Sequence, residues 1–226
     1  MFIKKIAEIH NGYTEKFGIP RQSGLAPSVL SRIVFEPEYR VKEAFRDLEG
    51  YSHIWLIWEF SAAVREEWSP TVRPPRLGGN KRTGVFATRS PYRPNPLGLS
   101  CVKLERIELD TPDGPVLIVS GADLMNSTPI YDIKPYLPYA DSVPSAVGGF
   151  TDQTVKRQVE VEIPENIASK LPKSTLTAVK DILREDPRPA YQDDPDRIYK
   201  MIFEGFEFSF NVCDNNLFVS EVEKLK

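Results

Sequence analysis

Residues 69–100 cannot run as one helix or one strand. Pro70, Pro74, Pro75, Pro91, Pro94 and Pro96 fall inside the stretch, and each proline fixes φ and removes a backbone donor. Any core must therefore form from the segments on either side, with this one crossing as a long loop that is ordered in advance. The loop is also cationic. From residue 69 to residue 96 it carries Arg73, Arg76, Lys81, Arg82, Arg89 and Arg93 and no Asp or Glu, +6 over 28 residues in a chain of formal charge −3. The balancing acids lie elsewhere, and the net charge hides a strong local field.

The flanking segments read as short strands. Residues 3–9 alternate weakly and meet the turn signal Asn11-Gly12. Residues 54–60 are apolar at successive positions, as in a strand covered on both faces. Residues 100–109 change phase near Arg106, which predicts a bulge, and Asp113-Gly114 turns them into a hairpin with residues 116–119. Between the first strands, Pro37 followed by Val41, Ala44, Phe45 and Leu48, with Gly50 after them, predicts a short amphipathic helix. The first part is thus a small antiparallel β-barrel with a short helix, not a doubly wound sheet.

Residues 138–150, with Pro144 and Gly148-Gly149, read as a linker. Beyond it a strand at 159–163, a helix capped by Ser174 and ended by Asp186-Pro187, and a hairpin turning at residues 214–216 predict a small α+β unit. The expected fold is mainly β, with domains at 1–145 and 146–226.

The length of 226 residues suits one good core plus an appendix, and 41% hydrophobic with 27% charged residues is a globular composition. The first thirteen residues lack the apolar run of a signal peptide, and no stretch approaches a membrane span. Cys101 and Cys213 sit far apart in apolar stretches, which predicts buried reduced thiols in a cytoplasmic protein. His10 and His53 lack metal-ligand spacing, so no metal is expected.

Dinucleotide and ATP glycine loops, the serine-hydrolase elbow and the H-E-x-x-H zinc motif are all absent. What remains is the proline- and arginine-rich loop. Its chemistry leaves two readings open: a preorganised site for an anion or polar ligand, or a stiff, solubilising connection.

The blocks RPPRLGGN (73–80), GVFATRSPYRPNPLGLS (84–100), DIKPYLPYADS (132–142) and DPRPAY (186–191) resemble the TrmO family of S-adenosylmethionine-dependent tRNA methyltransferases, along nearly the whole chain. The resemblance implies a barrel that binds S-adenosylmethionine without a nucleotide-binding fold and works as a homodimer. The implied reaction methylates the exocyclic nitrogen of threonylcarbamoyladenosine beside the anticodon of threonine tRNA. Carried onto this sequence, the cofactor positions are Pro20, Arg21, Gln22, Phe60, Ser61, Arg89, Leu99, Asp123, Leu124, Met125 and Asn126, with Arg93 and Asn95 as neighbours. Where the family reads D-x-x-D-G-T-P, this chain has Asn126-Ser127 for the second Asp and the Gly. The amide keeps a hydrogen-bond acceptor but removes a charge.

The nucleophile is a delocalised, urea-like nitrogen, so a group that takes its proton would help. Asp132 is the first candidate and Asp123 the second; a loop cap, or a salt bridge from Asp132 to Lys134 or Arg93, is the plainer alternative for that residue. For tRNA, Arg73, Arg76, Lys81, Arg82 and Arg188 are the expected cations, and Tyr92 and Tyr191 the expected stacking rings. A barrel that binds S-adenosylmethionine or RNA without catalysis is the competing reading.

Overall fold

The computed structural model describes every residue except 1, 64–66, 75, 76, 78, 80, 154–157, 190, 191, 193 and 226. The alternating segments of the first part close on themselves. The strands are β1 (Ala7–His10), β2 (Leu30–Phe35), β3 (His53–Glu59), the short ribbon β4 (Thr71–Val72) and β5 (Thr83–Gly84), β6 (Leu97–Glu108), β7 (Val116–Ser120) and β8 (Pro129–Pro135). Six of them form a barrel in the order β1-β2-β7-β6-β3-β8, every neighbouring pair antiparallel. Closure leaves no unpaired edge. Inward positions such as Ile9, Ile33, Ile54, Leu56, Val102, Leu117 and Ile130 make the core.

The bulge predicted near Arg106 is present: the β6–β7 register shifts between Leu104 and Arg106. Two other expectations need correction. Residues 53–59 bury alternate side chains only, because a barrel strand has one face inside and one outside. The predicted helix is three separate 3-10 turns, Pro37–Tyr39, Lys42–Phe45 and Leu48–Gly50. The extended backbone at Val41 and the left-handed Asp47, at φ 65°, break it. The apolar spacing serves instead to lay Phe45 edge-on against Phe35, with ring centroids 4.8 Å apart, as part of the barrel core.

After a one-turn helix α1 (Pro138–Asp141) come β9 (Glu160–Glu162), α2 (Glu165–Ala168), α3 (Lys173–Arg184), β10 (Tyr199–Phe203), β11 (Phe206–Cys213) and β12 (Asn216–Lys224). The sheet order is β10-β11-β12-β9, with β9 parallel to β12. Helix α3 packs Ala178, Val179, Ile182 and Leu183 into a core with Met201, Phe208, Phe210 and Leu217. Ser174 is not its cap. Pro172 holds that position, and its carbonyl accepts from Leu176 N–H at 2.9 Å.

This second core takes in part of the first: Tyr13, Ala26 and Val29 belong to it. At Gly18, φ is +92° and a Cβ would come 2.4 Å from Met201 Sδ, so only glycine fits. Ile202 N–H donates to Glu15 at 2.8 Å and Ser28 N–H to Asp181 at 3.1 Å. The loop between β1 and β2 is thereby sewn onto the C-terminal unit.

Cys101 is half-buried, with burial pushing its thiol up, and Cys213 is exposed; neither is in a disulfide. No helix of the described residues is long and apolar enough to cross a membrane. No group of three His, Cys, Asp or Glu placed to hold a metal ion occurs among those residues.

Candidate functional site

The end of β3, the start of β6, the loop 88–95, residues 16–22 and residues 123–128 enclose a cleft of about 710 Å³. That is the size of an ordinary small-molecule site. Its inner wall is Trp58, whose indole lies over Gly98; a Cβ there would meet the ring at 2.2 Å. The register puts Trp58 opposite Gly98 and Leu56 opposite Ser100, so the indole and the serine share one face of the sheet. Trp58 Nε1 donates to Ser100 Oγ at 3.0 Å, and Ser100 Oγ donates to Asp123 Oδ1 at 2.5 Å. Burial pushes the Asp123 carboxyl above the usual range, while the Ser100 bond and the charge of Arg89 pull the other way. The result is an oriented acceptor at the base of the cleft.

A second polar chain enters from the opposite side. Arg89 Nη1 donates to Gln22 Oε1, Gln22 Nε2 donates to the Arg21 carbonyl, and Arg21 Nη2 donates to the Arg188 carbonyl at 2.8 Å. Arg93 holds the proline loop in shape through the carbonyls of Thr88 at 3.0 Å and Ser90 at 3.4 Å. The aromatic floor is completed by Phe60, whose ring is 4.3 Å from Trp58 at 58°. Glu59 also lines the cleft and accepts from Tyr131 at 2.6 Å, which pushes that phenol up to about 12.

With two exceptions, every expected cofactor position lines this cleft. Leu124 is fully buried in the barrel core. Asn126 is a hinge pin for the β1–β2 loop: its amide oxygen accepts from Asn11 N–H at 3.1 Å, and its N–H donates to the Tyr13 carbonyl at 2.8 Å. Ser127 takes φ 62°, the left-handed conformation for which the family's glycine is suited. The departure from the family pattern is thus accommodated in the backbone.

Asp132 is elsewhere. Its carboxylate pairs with Lys134 at 3.1 Å and accepts from Ile133 N–H at 2.9 Å, and it does not line the cleft. The reading of it as a proton acceptor gives way to the salt bridge. Arg188 also needs correction. Its side chain is 1% exposed and forms a bidentate pair with Asp186, at 2.8 and 3.0 Å, so it faces no solvent that RNA could displace. Of the other expected tRNA contacts, Arg73, Lys81 and Arg82 are exposed and Tyr92 lines the cleft. Arg76 and Tyr191 lie outside the described residues.

Trp58 and Glu59 line the cleft without being singled out by the sequence, and the buried Ser100 bonds to two groups that line it, Trp58 and Asp123. Ser100 ends one of the family blocks, whereas Trp58 lies in an apolar run with no alternation to say which side chains point inward. Which inward residues meet at the cleft depends on the pairing of β3 with β6.

Residues 8–142 match the family described as the tRNA-methyltransferase O N-terminal domain, and residues 156–225 match the TrmO C-terminal domain. The chain is 37% identical over 229 residues to the tRNA (adenine(37)-N6)-methyltransferase of Escherichia coli strain K12, covering 97% of each chain. To the protein of the same name from Eikenella corrodens it is 48% identical over 164 residues, covering 72% of this chain and 92% of the relative. A crystal structure of TrmO from Pseudomonas aeruginosa superposes with a TM-score of 0.79 at 31% identity, over 99% of this chain and 98% of that one.

Proposed function

This chain belongs to the TrmO family, and on that premise we propose that it methylates tRNA, with S-adenosylmethionine as donor, at N6 of adenine 37. We further assign the threonylcarbamoylated form of that base in threonine tRNA as substrate, a homodimer as the working unit, and the cytoplasm as its place. The observation that carries the reading is the convergence of residues 20–22, 88–95 and Asp123 on one cleft.

The donor set fits the ligand. Arg89 suits a carboxylate, Trp58 and Phe60 suit a flat heterocycle, and Asp123 suits hydroxyls or a cationic centre. When bound, S-adenosylmethionine supplies a methyl group on a sulfonium sulfur. The chain's own task is alignment, for which a loop stiffened by Pro91, Pro94 and Pro96 is well made. Asp123 takes the role of proton acceptor toward the exocyclic nitrogen, in preference to Asp132. It lies in the cleft, and its raised proton affinity favours acceptance.

In this division residues 1–145 carry the cofactor, and residues 146–226 brace the loop that holds it. Leu99, 55% exposed at the edge of the cleft, supports the homodimer as a surface for a second copy to cover. The test is to incubate the protein with labelled S-adenosylmethionine and with threonine tRNA that does or does not carry the threonylcarbamoyl group. Label at base 37 by mass spectrometry is expected. Binding of the donor without transfer to either tRNA would leave a non-catalytic module.

A further inference from the structure

The ribbon of β4 and β5 displays two large aromatic rings that the cleft does not use. Trp68 is 49% exposed and Phe86 73% exposed, and the rings stack with centroids 6.3 Å apart and planes 24° from parallel. Both are held from below. Val85 is buried, its N–H donates to the Pro70 carbonyl at 3.0 Å, and its own carbonyl accepts from Thr88 Oγ1 at 2.8 Å. That 3-10 turn leaves the next residue, Phe86, on the outside. Ser69, beside Trp68, donates its N–H to the Tyr92 carbonyl at 3.3 Å, tying the ribbon to the rim of the cleft. Thr88 lines the cleft only two residues from Phe86, within about 7 Å of chain.

We infer that Trp68 and Phe86 form a stacking platform for an unpaired RNA base next to the one that enters the cleft. The inference rests on the tRNA reading above. Charge selects the occupant: residues 69–96, which follow Trp68 and include Phe86, are +6 with no acid and outweigh the exposed Glu67 beside Trp68, and Arg73, Lys81 and Arg82 are exposed on the same ribbon. A second copy docking the same face would set that charge against itself, since a two-fold interface pairs a patch with its own copy. A polyanion with exposed bases meets both features. Cations take the phosphates while the rings take a base face, without regard to its identity.

The test compares the unaltered protein with Trp68→Ala, Phe86→Ala and Phe86→Tyr. Affinity for threonine tRNA is measured across a salt series, affinity for S-adenosylmethionine by calorimetry, and mass by sedimentation. Each alanine variant is expected to bind tRNA about 5- to 150-fold more weakly, the value of one base stack. Its donor affinity and the slope of log K against log salt stay unchanged, because no cation is lost. Phe86→Tyr restores binding to within about threefold, as a ring that stacks equally well should.

Alanine variants that bind tRNA like the unaltered protein overturn the platform and leave the functional reading standing. So do variants that change the sedimenting mass without changing tRNA affinity, which would make this face a contact between copies. An unaltered protein that binds no tRNA removes both readings together.

Discussion

Arg89 and Arg188 both stand in family-specific blocks, and the fold gives them opposite surroundings. Arg89 is exposed in the cleft, where its guanidinium donates to Gln22 and its charge acts on Asp123. Arg188 is sealed inside, its guanidinium committed to Asp186 and its carbonyl supporting Arg21. The two are ends of one polar chain, through Gln22 and Arg21. A motif therefore marks a residue as required without saying whether it meets the ligand or holds the part that does. Here the C-terminal block acts on the cleft by bracing Arg21.

The largest effect should come from opening the buried pair. Arg188→Ala leaves Asp186 charged and buried, a situation worth about 3–5 kcal/mol of destabilisation, measurable by urea unfolding. Replacing both residues, with Asp186→Asn and Arg188→Met, should recover part of that loss, because the buried charge is gone and asparagine tolerates the φ of 47° at that position. If Arg188→Ala were as mild as an exposed arginine change, the contrast between the two residues would collapse.

Next in size is Arg89→Ala. Loss of one charge-assisted contact should weaken S-adenosylmethionine by about 10- to 150-fold, corresponding to about 1.5–3 kcal/mol, with stability within about 0.5 kcal/mol of the original. Calorimetry alongside the same urea titration separates the two quantities, and a stability change without an affinity change would place Arg89 with Arg188.

A smaller, pH-dependent effect is expected at Asp123. Its carboxyl holds its proton to higher pH in the folded protein than in the unfolded chain, chiefly because it is buried. Between the unfolded value of about 3.9 and the higher folded value, the unfolded state binds fewer protons, so stability falls as pH rises through that window. Asp123→Asn carries no such penalty. Its thermal midpoint should gain on the original protein as pH rises above about 4 and then hold a constant lead; an advantage confined to acid pH would contradict the sign.

The smallest effect belongs to Asp132→Ala. Its pair with Lys134 has side chains 47% and 62% exposed, so stability should move by no more than about 0.5–1 kcal/mol and turnover should stay near the original. Loss of turnover with donor binding intact would return Asp132 to the reaction.

Much of the barrel was legible because its signals are local. Period-two alternation, the Asp113-Gly114 turn and the phase slip near Arg106 each depend on a few neighbouring residues. The 37–50 segment was misread because the same apolar spacing serves a helix or a string of 3-10 turns, and left-handed Asp47 settles the matter. Site residues in the proline loop were legible through their family blocks. Trp58 and Ser100 were not, because their meeting depends on a strand register set 42 residues apart in the chain.

By itself the sequence determined that residues 69–96 cannot run as one helix or one strand and that they carry a strong local positive charge, since proline geometry and formal charge are properties of the residues themselves. It also determined, through alternation and turns, that the flanks are strands. Only the tertiary structure decided which charges are available for chemistry. Arg188, Asp132 and Asp123 are all ionisable residues in family blocks, yet one is buried in a pair, one is bridged at the surface, and one is aimed into the cleft. The reason is physical: what a charge can do is set by its solvation and its partners, and both are created when distant segments close around it.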